Sequence, residues 1–266
     1  MSKKQIPNKP KATLAINTTN PDVINNLKLS LGIIIAAFAF LLYAQSISFN
    51  YILDDEYVIK NNKVVQEGIS SISTILSTDY FSGYKRLNLS GPVYRPIPLI
   101  LYAIEWNLFQ DSPHIFHFIN VLLYAFTCWV LFLLLCNLFK KQNLLFPFVC
   151  SLFYAVHPIH TEVVNYIKSA DEILCFLFGI LSIYYFIKPS SDKSFLNIFL
   201  GSIYFFLAML SKETGITFLI IIPLTIFIFS DVPRRKMVII TLMLLVISAI
   251  YLIIRSYVLH SIRIDT

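Results

Sequence analysis

Residues 113–139 read PHIFHFINVLLYAFTCWVLFLLLCNLF and contain no Asp, Glu, Lys or Arg. Uncharged apolar runs of 18 or more residues are typical of helices that span a membrane. Residues 29–49 and 237–254 form two further runs of this kind. The 266-residue chain is 57% hydrophobic and only 14% charged, whereas a soluble domain carries about 25% charged residues. The sequence therefore predicts an all-α, polytopic membrane helix bundle and excludes a disordered or collagen-like chain.

We predict about seven transmembrane helices, which follow the uncharged apolar runs of the chain. A further apolar segment, residues 96–110, is too short to cross a bilayer, which takes about 20 residues, and it contains Glu105. It is predicted to be an interfacial or re-entrant helix in the first outer loop, residues 50–112. Its aromatic residues suit the level of lipid headgroups; they are Tyr94, Tyr102 and Trp106. The predicted spans are residues 29–49, 113–139, 144–157, 172–187, 195–210, 214–230 and 237–254.

The positive charge of the chain, net +6, is concentrated in the N-terminal tail and in three short loops. With the N-terminus in the cytoplasm, alternation of the spans places all of these segments on the cytoplasmic side, as the positive-inside rule requires. Lysine and arginine then report orientation, and no nucleic-acid partner is expected. The predicted organisation is a cytoplasmic tail (1–28), a transmembrane domain (29–258) and an outer tail (259–266). The three basic loops contain Lys140 and Lys141, Lys188 to Lys193, and Arg234 to Lys236.

The predicted outer face carries several groups suited to catalysis. Asp54 and Asp55 follow the first span and are candidates for a general base or for binding a divalent cation; a solvated acidic loop explains them equally well. Arg95 suits a phosphate or an anionic headgroup, although an arginine that reaches ordinary headgroups is an equal alternative. The other candidates on this face are Glu56, His157, His160, Glu162, Lys168, Lys212, Glu213 and Arg255.

The outer turn around His157 and His160 has a spacing that resembles part of a zinc site. However, Pro158 disfavours a helical conformation at His157, and no third nitrogen ligand is in view. We therefore assign no metal to the histidines, and a hydrogen-bonding role or an ordinary loop remains open.

Five motifs occur along the chain in a fixed order: LDDEYVI (53–59), YRP (94–96), FHFINVLL (116–123), AVHPIHTEVV (155–164) and LAMLSKETGIT (207–217). In this order they resemble the membrane half of the transmembrane, tetratricopeptide-repeat-containing O-mannosyltransferases and their bacterial relatives, in the GT-C glycosyltransferase superfamily. The resemblance covers residues 45–258. Family members usually continue into further spans and a repeat array, so we expect this chain to be a fragment or a short form.

The resemblance implies transfer of a mannose-like hexose from a polyprenyl-phosphate donor to a hydroxyl group of an acceptor protein or lipid. Transfer would occur on the exoplasmic side, with inversion, in a bacterial cell membrane or in the endoplasmic reticulum membrane among membrane lipids. The family's acidic pair falls on Asp54 and Asp55, one of which would act as base or hold a cation. Charge and sidedness add Arg95, Lys212 and Arg255 as candidates for holding the leaving phosphate.

Two alternatives remain. The first is a catalytically silent or truncated membrane subunit. The second is a transporter. Ion-coupled carriers usually have charged residues inside their spans, and the absence of such residues from the predicted spans argues against this alternative.

Overall fold

The computed structural model describes residues 21–84, 93–188, 194–230 and 232–264. These parts of the chain contain helices and no strand, which confirms the predicted all-α class. Short 3-10 turns cover Ala44–Ser48, Gly68–Ser71, Ile167–Ser169 and Glu213–Thr217, and a π-helical turn covers Glu56–Lys60. The α-helices are α1 (Pro21–Tyr43), α2 (Lys63–Gln66), α3 (Ile72–Ser77), α4 (Pro96–Phe109), α5 (Pro113–Leu138), α6 (Leu145–Ala155), α7 (His160–Asn165), α8 (Ala170–Phe186), α9 (Ser194–Ser211), α10 (Phe218–Phe229) and α11 (Arg234–Ile264).

Each of the seven predicted spans is helical in the structure. Within the described residues, four helical segments are long and apolar enough to cross a membrane: Pro21–Ser48, Pro113–Leu138, Ile167–Phe186 and Arg234–His260. The remaining three, α6, α9 and α10, are apolar but shorter. The chain is therefore a membrane protein built as a helix bundle, while the number of seven crossings stays a prediction.

The two end helices are longer than the apolar pattern indicates. Helix α1 begins at Pro21, inside the predicted tail, and α11 continues to Ile264, through most of the predicted outer tail. The apolar run marks only the part of a helix that matches the hydrocarbon core. A helix can continue beyond the hydrocarbon core in polar turns, which keep the helical backbone hydrogen bonds but do not belong to the apolar run.

The bundle is held by close contacts between helices. The indole of Trp129 approaches Gly32 of α1 so closely that a Cβ at this position would overlap the indole ring. The ring of Phe218 lies equally close to Gly179 of α8. Glycine is required at these two positions because any larger residue would push the neighbouring aromatic ring away.

Helix α4 has the predicted range but not the predicted surroundings. Tyr94, Tyr102 and Trp106 are 3%, 0% and 8% exposed, and they pack inside the protein instead of facing lipid headgroups. The hydroxyl of Tyr94 donates to the carbonyl of Leu76 (3.0 Å), and that of Tyr102 donates to the carbonyl of Ile167 (3.0 Å). The short helices of the first loop, α2 and α3, cover this side of α4.

The predicted basic loops gather at one end of the bundle. One cavity there is lined by residues 137–142 at and after the end of α5, by Ile187 after α8, and by residues 228–230 and 232–233 at the end of α10 and before α11. The described parts of the three basic segments therefore share one end, as alternation of the spans requires.

Glu105 of α4 provides a test of the packing in the first loop. Its side chain is 3% exposed, its Oε2 has no hydrogen-bond partner among the described residues, and burial raises its pKa well above the ordinary value. Replacing it by methionine should stabilise the protein by about 1–3 kcal/mol at pH 7, because an unsatisfied buried polar group is removed.

Thermal unfolding in detergent measures this difference. Because the pKa of Glu105 is higher in the folded state, the wild type should lose stability as pH rises above roughly 4.3. The Glu105→Met variant should lack the part of this loss that Glu105 contributes. Glu67→Met, at an exposed position of the same loop, is the matched control; equal gains in both variants would contradict the burial argument.

Candidate functional site

The acidic pair lies in an unusual stretch of backbone. Leu53, directly before Asp54, has a φ of +46°, in the left-handed region that side chains other than glycine rarely adopt. Directly after Asp55 begins the π-helical turn Glu56–Lys60. Strained residues and π-helical turns are both concentrated at functional sites. The backbone therefore holds the two aspartates in a conformation that local preferences alone do not favour.

Asp55 joins the first loop to the beginning of α8. Its side chain is completely buried, and its two oxygens accept the backbone N–H groups of Lys168 (Oδ1, 2.7 Å) and Ile52 (Oδ2, 3.2 Å). Burial raises the pKa of Asp55 to about 6, although the N–H donors lower it in part. With both oxygens occupied, Asp55 fixes the position of the loop and cannot reach a substrate from there.

Asp54 points the other way. Its side chain is 53% exposed, and its Oδ2 lies 3.7 Å from the ammonium group of Lys168. Lys168 thus contacts both aspartates, one through its backbone N–H and the other through its side chain. Of the two acids, Asp54 is the one that a reactant can approach. Glu56 is half-buried in the π-helical turn that follows.

A second group of charged side chains surrounds Asp171, which lies in the first turn of α8, three residues after Lys168. The guanidinium of Arg95 donates two hydrogen bonds to Glu213, Nε to Oε2 (2.8 Å) and Nη2 to Oε1 (2.6 Å). Its Nη1 donates to Oδ2 of Asp171 at 2.6 Å. The side chains of Arg95 and Asp171 are 12% and 1% exposed, and the guanidinium also lies over the ring of Tyr80. This bidentate pairing is strong and geometrically specific.

Lys212 extends the network. Its ammonium contacts a carboxylate oxygen of Glu172 and lies 4.0 Å from Oδ1 of Asp171. We call these five residues, which are Arg95, Asp171, Glu172, Lys212 and Glu213, the ion-pair network. The sequence alone does not single out Asp171 and Glu172, because acids at the start of a helix are favourable there without any partner.

The ion-pair network has two cationic and three acidic members, so it carries no excess of positive charge. The hydrogen bonds from Arg95 are the main reason that the pKa of the Glu213 carboxyl falls to about 2. The sequence predicts that Arg95 and Lys212 hold a phosphate, yet both cationic groups already contact carboxylates. Arg255, the third cation predicted for this role, is half-buried on α11 and makes no ion pair with a described residue.

The two predicted histidines lie in an aromatic cluster. The rings of His157 and His160 are 6.0 Å apart, and the ring of His160 is 4.3 Å from that of Tyr154 and 5.6 Å from that of Tyr124. Nδ1 of His157 accepts the backbone N–H of Ile159 at 3.3 Å. Partial burial lowers the pKa of His160, which favours the uncharged ring.

The structure therefore brings some of the predicted site residues into contact with one another and leaves others apart. Asp54, Asp55 and the ion-pair network meet through residues 168–172, at the start of α8. The rings of the two histidines pack against each other and against tyrosines, and Glu162 is exposed beside them. In the described part of the chain no group of three His, Cys, Asp or Glu side chains is arranged to hold a metal ion.

These features define a polytopic membrane protein whose acidic pair and ion-pair network meet at one end of its helix bundle. Comparison with curated proteins gives its relatives. The chain is 32% identical over 200 residues to protein O-mannosyl-transferase TMTC1 from Homo sapiens, 29% over 210 residues to human TMTC4, and 26% over 201 residues to human TMTC3. The chain is thus a homologue of the membrane part of the transmembrane, tetratricopeptide-repeat-containing O-mannosyltransferase family, which confirms the resemblance of its motifs.

The aligned regions cover 69%, 70% and 73% of this chain but 22%, 28% and 20% of the three relatives. The chain therefore spans about a quarter of the length of the curated relatives that it matches. No family model matches the sequence. No solved structure matches the fold.

The ion-pair network makes a prediction about stability. Arg95→Gln should destabilise the protein by about 3–5 kcal/mol, because it leaves the carboxylate of Asp171 buried without its main partner. Thermal unfolding of the purified variant measures the loss. Adding Asp171→Asn should recover part of it by removing the uncompensated charge; a double variant as unstable as the sum of the two single variants would show that the pair is not coupled.

Asp55 makes a prediction about pH. Its pKa in the folded protein, about 6, lies above the ordinary value of about 3.9. The contribution of Asp55 to stability should therefore be highest below pH 4 and about 3 kcal/mol lower at pH values well above 6, with most of the change between these two pKa values and just beyond.

Thermal unfolding of the wild type and of Asp55→Asn across this range measures the effect. In the variant the fall should be smaller by about 3 kcal/mol, the share of Asp55, while the share of Glu105 remains. The variant will also be less stable throughout, because an amide cannot accept both backbone N–H groups. The exposed Asp54→Asn is the control, and its profile should follow that of the wild type. An unchanged fall in Asp55→Asn would assign the pH dependence to another group.

Proposed function

We propose that this chain is the membrane part of a GT-C-type glycosyltransferase that moves mannose from a polyprenyl-phosphate donor to a hydroxyl group of an acceptor protein. The names of its relatives support the transfer of mannose to protein. The location of the charged groups at the end of a bundle of apolar helices supports a lipid-phosphate donor, because a polyprenyl chain can remain in the bilayer there.

The exposed carboxylate of Asp54 carries the proposal. It is the accessible member of the acidic pair, and the buried Asp55 fixes its position relative to α8. A general base needs this combination, because a carboxylate must be free to meet the reacting hydroxyl and yet be held in place. The ammonium of Lys168 lies near the same carboxylate and balances part of its negative charge.

The proposed step is an inverting displacement at the anomeric carbon. Asp54 takes the proton of the acceptor hydroxyl as its oxygen forms the new bond to that carbon. The bond between the carbon and the phosphate oxygen breaks on the opposite face, and polyprenyl phosphate leaves with the electron pair. Negative charge then grows on the phosphate and needs a cation.

Arg255 is our candidate for that cation. It lies on α11 close to Tyr251, which is also within electrostatic range of Arg95 and Glu213. Unlike Arg95 and Lys212, it has no carboxylate partner among the described residues, so it can meet a phosphate without breaking an ion pair. Arg95 and Lys212 then act as positioning residues that hold α4, α8 and the turn after α9 together.

We assign the end with the acidic pair to the exoplasmic side and the basic end to the cytoplasm. The clustering of lysines and arginines at one end supports this orientation through the positive-inside rule. A divalent cation at Asp54 remains an alternative to the base role, because a carboxylate beside a phosphate can bind Mg²⁺ or Ca²⁺.

The test is a transfer assay with the purified chain in detergent or nanodiscs, polyprenyl-phosphate mannose and a peptide rich in serine and threonine. Asp54→Asn should lower turnover by on the order of 10²–10⁴-fold, the contribution of a general base, and leave donor binding nearly intact. Release of polyprenyl phosphate measures turnover, and a filter-binding assay measures donor affinity. Glu67→Gln, an exposed acid of the same loop, is the control.

Each other outcome has a definite meaning. If Asp54→Asn abolishes donor binding, the residue holds a cation or phosphate and the base assignment is wrong. If neither Asp54→Asn nor Asp55→Asn changes turnover, the acidic pair has no catalytic role. If the wild-type chain binds donor without turnover, it is a catalytically silent membrane subunit.

A further inference from the structure

A cavity of about 540 Å³ lies at the basic end of the bundle, far along the helices from the acidic pair. It opens between α1, α5 and α6, at the beginning of α1 and the end of α5. A neighbouring cavity of about 560 Å³ shares four of its lining residues and reaches toward α10. The shared residues are Asn137, Phe139, Lys140 and Gln142.

The charged side chains that line the first cavity are all positive in the described part of the chain. Lys28 of α1 and Lys140 after α5 line the first cavity, and no acidic residue lines it in the described part of the chain. Neither lysine makes an ion pair with a described residue. Two ammonium groups held around one cavity repel each other, and a bound anion removes that repulsion.

Other lining groups suit the oxygens of a phosphate ester. The amide side chains of Asn137, Gln142 and Asn143 lie beside the two lysines and can donate hydrogen bonds. The cavity therefore combines positive charge with neutral donors, which is the composition expected for a phosphodiester with attached hydroxyl groups.

The surroundings of the cavity are apolar and exposed. Leu27, which lines it, is 43% exposed, and Leu145 and Phe146 at the start of α6 are 61% and 45% exposed. In a membrane these side chains face hydrocarbon. A molecule whose headgroup enters the cavity can therefore lay its acyl chains along α1 and α6.

We propose that this cavity binds the headgroup of an anionic phospholipid, with Lys28 and Lys140 meeting its phosphate and the acyl chains lying along α1 and α6. Basic pockets between membrane helices at the cytoplasmic level bind such lipids. A lipid fits better than a soluble anion because its apolar part covers the exposed side chains beside the cavity. The site is independent of the proposed sugar transfer, which uses the opposite end of the bundle.

The experiment measures lipid binding to the purified full chain by native mass spectrometry, with phosphatidylglycerol and phosphatidylcholine of the same acyl chains. Wild-type protein should bind phosphatidylglycerol more tightly than phosphatidylcholine. Lys28→Gln with Lys140→Gln should weaken phosphatidylglycerol binding about thirty-fold, because each lysine near a bilayer surface contributes about fivefold. It should leave phosphatidylcholine binding unchanged.

The matched control is Arg234→Gln with Arg235→Gln. These arginines are exposed at the same end and line neither cavity, so the control removes the same charge from outside the site. It should retain phosphatidylglycerol binding. An equal loss in the control would mean that diffuse surface charge attracts the lipid, and the proposed site would be wrong.

A second measurement separates a lipid from a soluble anion. Phosphatidylglycerol should raise the thermal unfolding midpoint of the wild type but not that of the double lysine variant, while inorganic phosphate and glycerophosphate should not compete. Equal stabilisation by inorganic phosphate would overturn the assignment to a lipid. Equal affinity of the wild type for the two phospholipids would overturn the site altogether, even if the variant fails to fold.

Discussion

The contact of Arg95 with Asp171 and Glu213 is the interaction on which the end of the bundle with the acidic pair depends. It joins the segment before α4, the first turn of α8 and the turn after α9, which are distant in sequence. The guanidinium and the Asp171 carboxylate are almost completely removed from water. Removal of either charge leaves the other without compensation, at a cost of several kcal/mol. The three segments therefore keep their relative positions together or lose them together.

Asp55 extends this framework to the first loop. Its carboxylate binds the backbone of Lys168, three residues before Asp171, so the loop and the ion-pair network share the start of α8. The adjacent Asp54 then points outward because neighbouring side chains in this stretch face different sides. One acid is used to fix the loop, and the other is left accessible. This division explains why the strained backbone at Leu53 can be maintained, since contacts on both sides hold it.

Much of this architecture can be predicted from the sequence. Helices that cross the hydrocarbon core need uncharged runs, and the positive-inside rule predicts on which side of the membrane each loop lies. The seven helices and the gathering of Lys28, Lys140 and Lys141 at one end were predictable on those grounds. The burial of Tyr102 and the pairing of Arg95 were not. The burial of Tyr102 depends on how the short helices of the first loop fold over α4, and helices of four to six residues leave no periodic pattern in a sequence. The pairing of Arg95 depends on contacts with α8 and the turn after α9, which are distant in sequence.

The cations of the ion-pair network at one end of the bundle are paired with carboxylates, whereas two lysines at the other end make no ion pair with a described residue. At the end with Asp54, every cation of the ion-pair network contacts a carboxylate, so a phosphate there must find a cation outside the network. At the other end, Lys28 and Lys140 line a cavity without acidic residues in the described chain. The ion-pair network needs no further ligand to balance its two cations, because three carboxylates already surround them. The unpaired lysines favour contact with an anionic lipid, as proposed above, because such a contact compensates their charge.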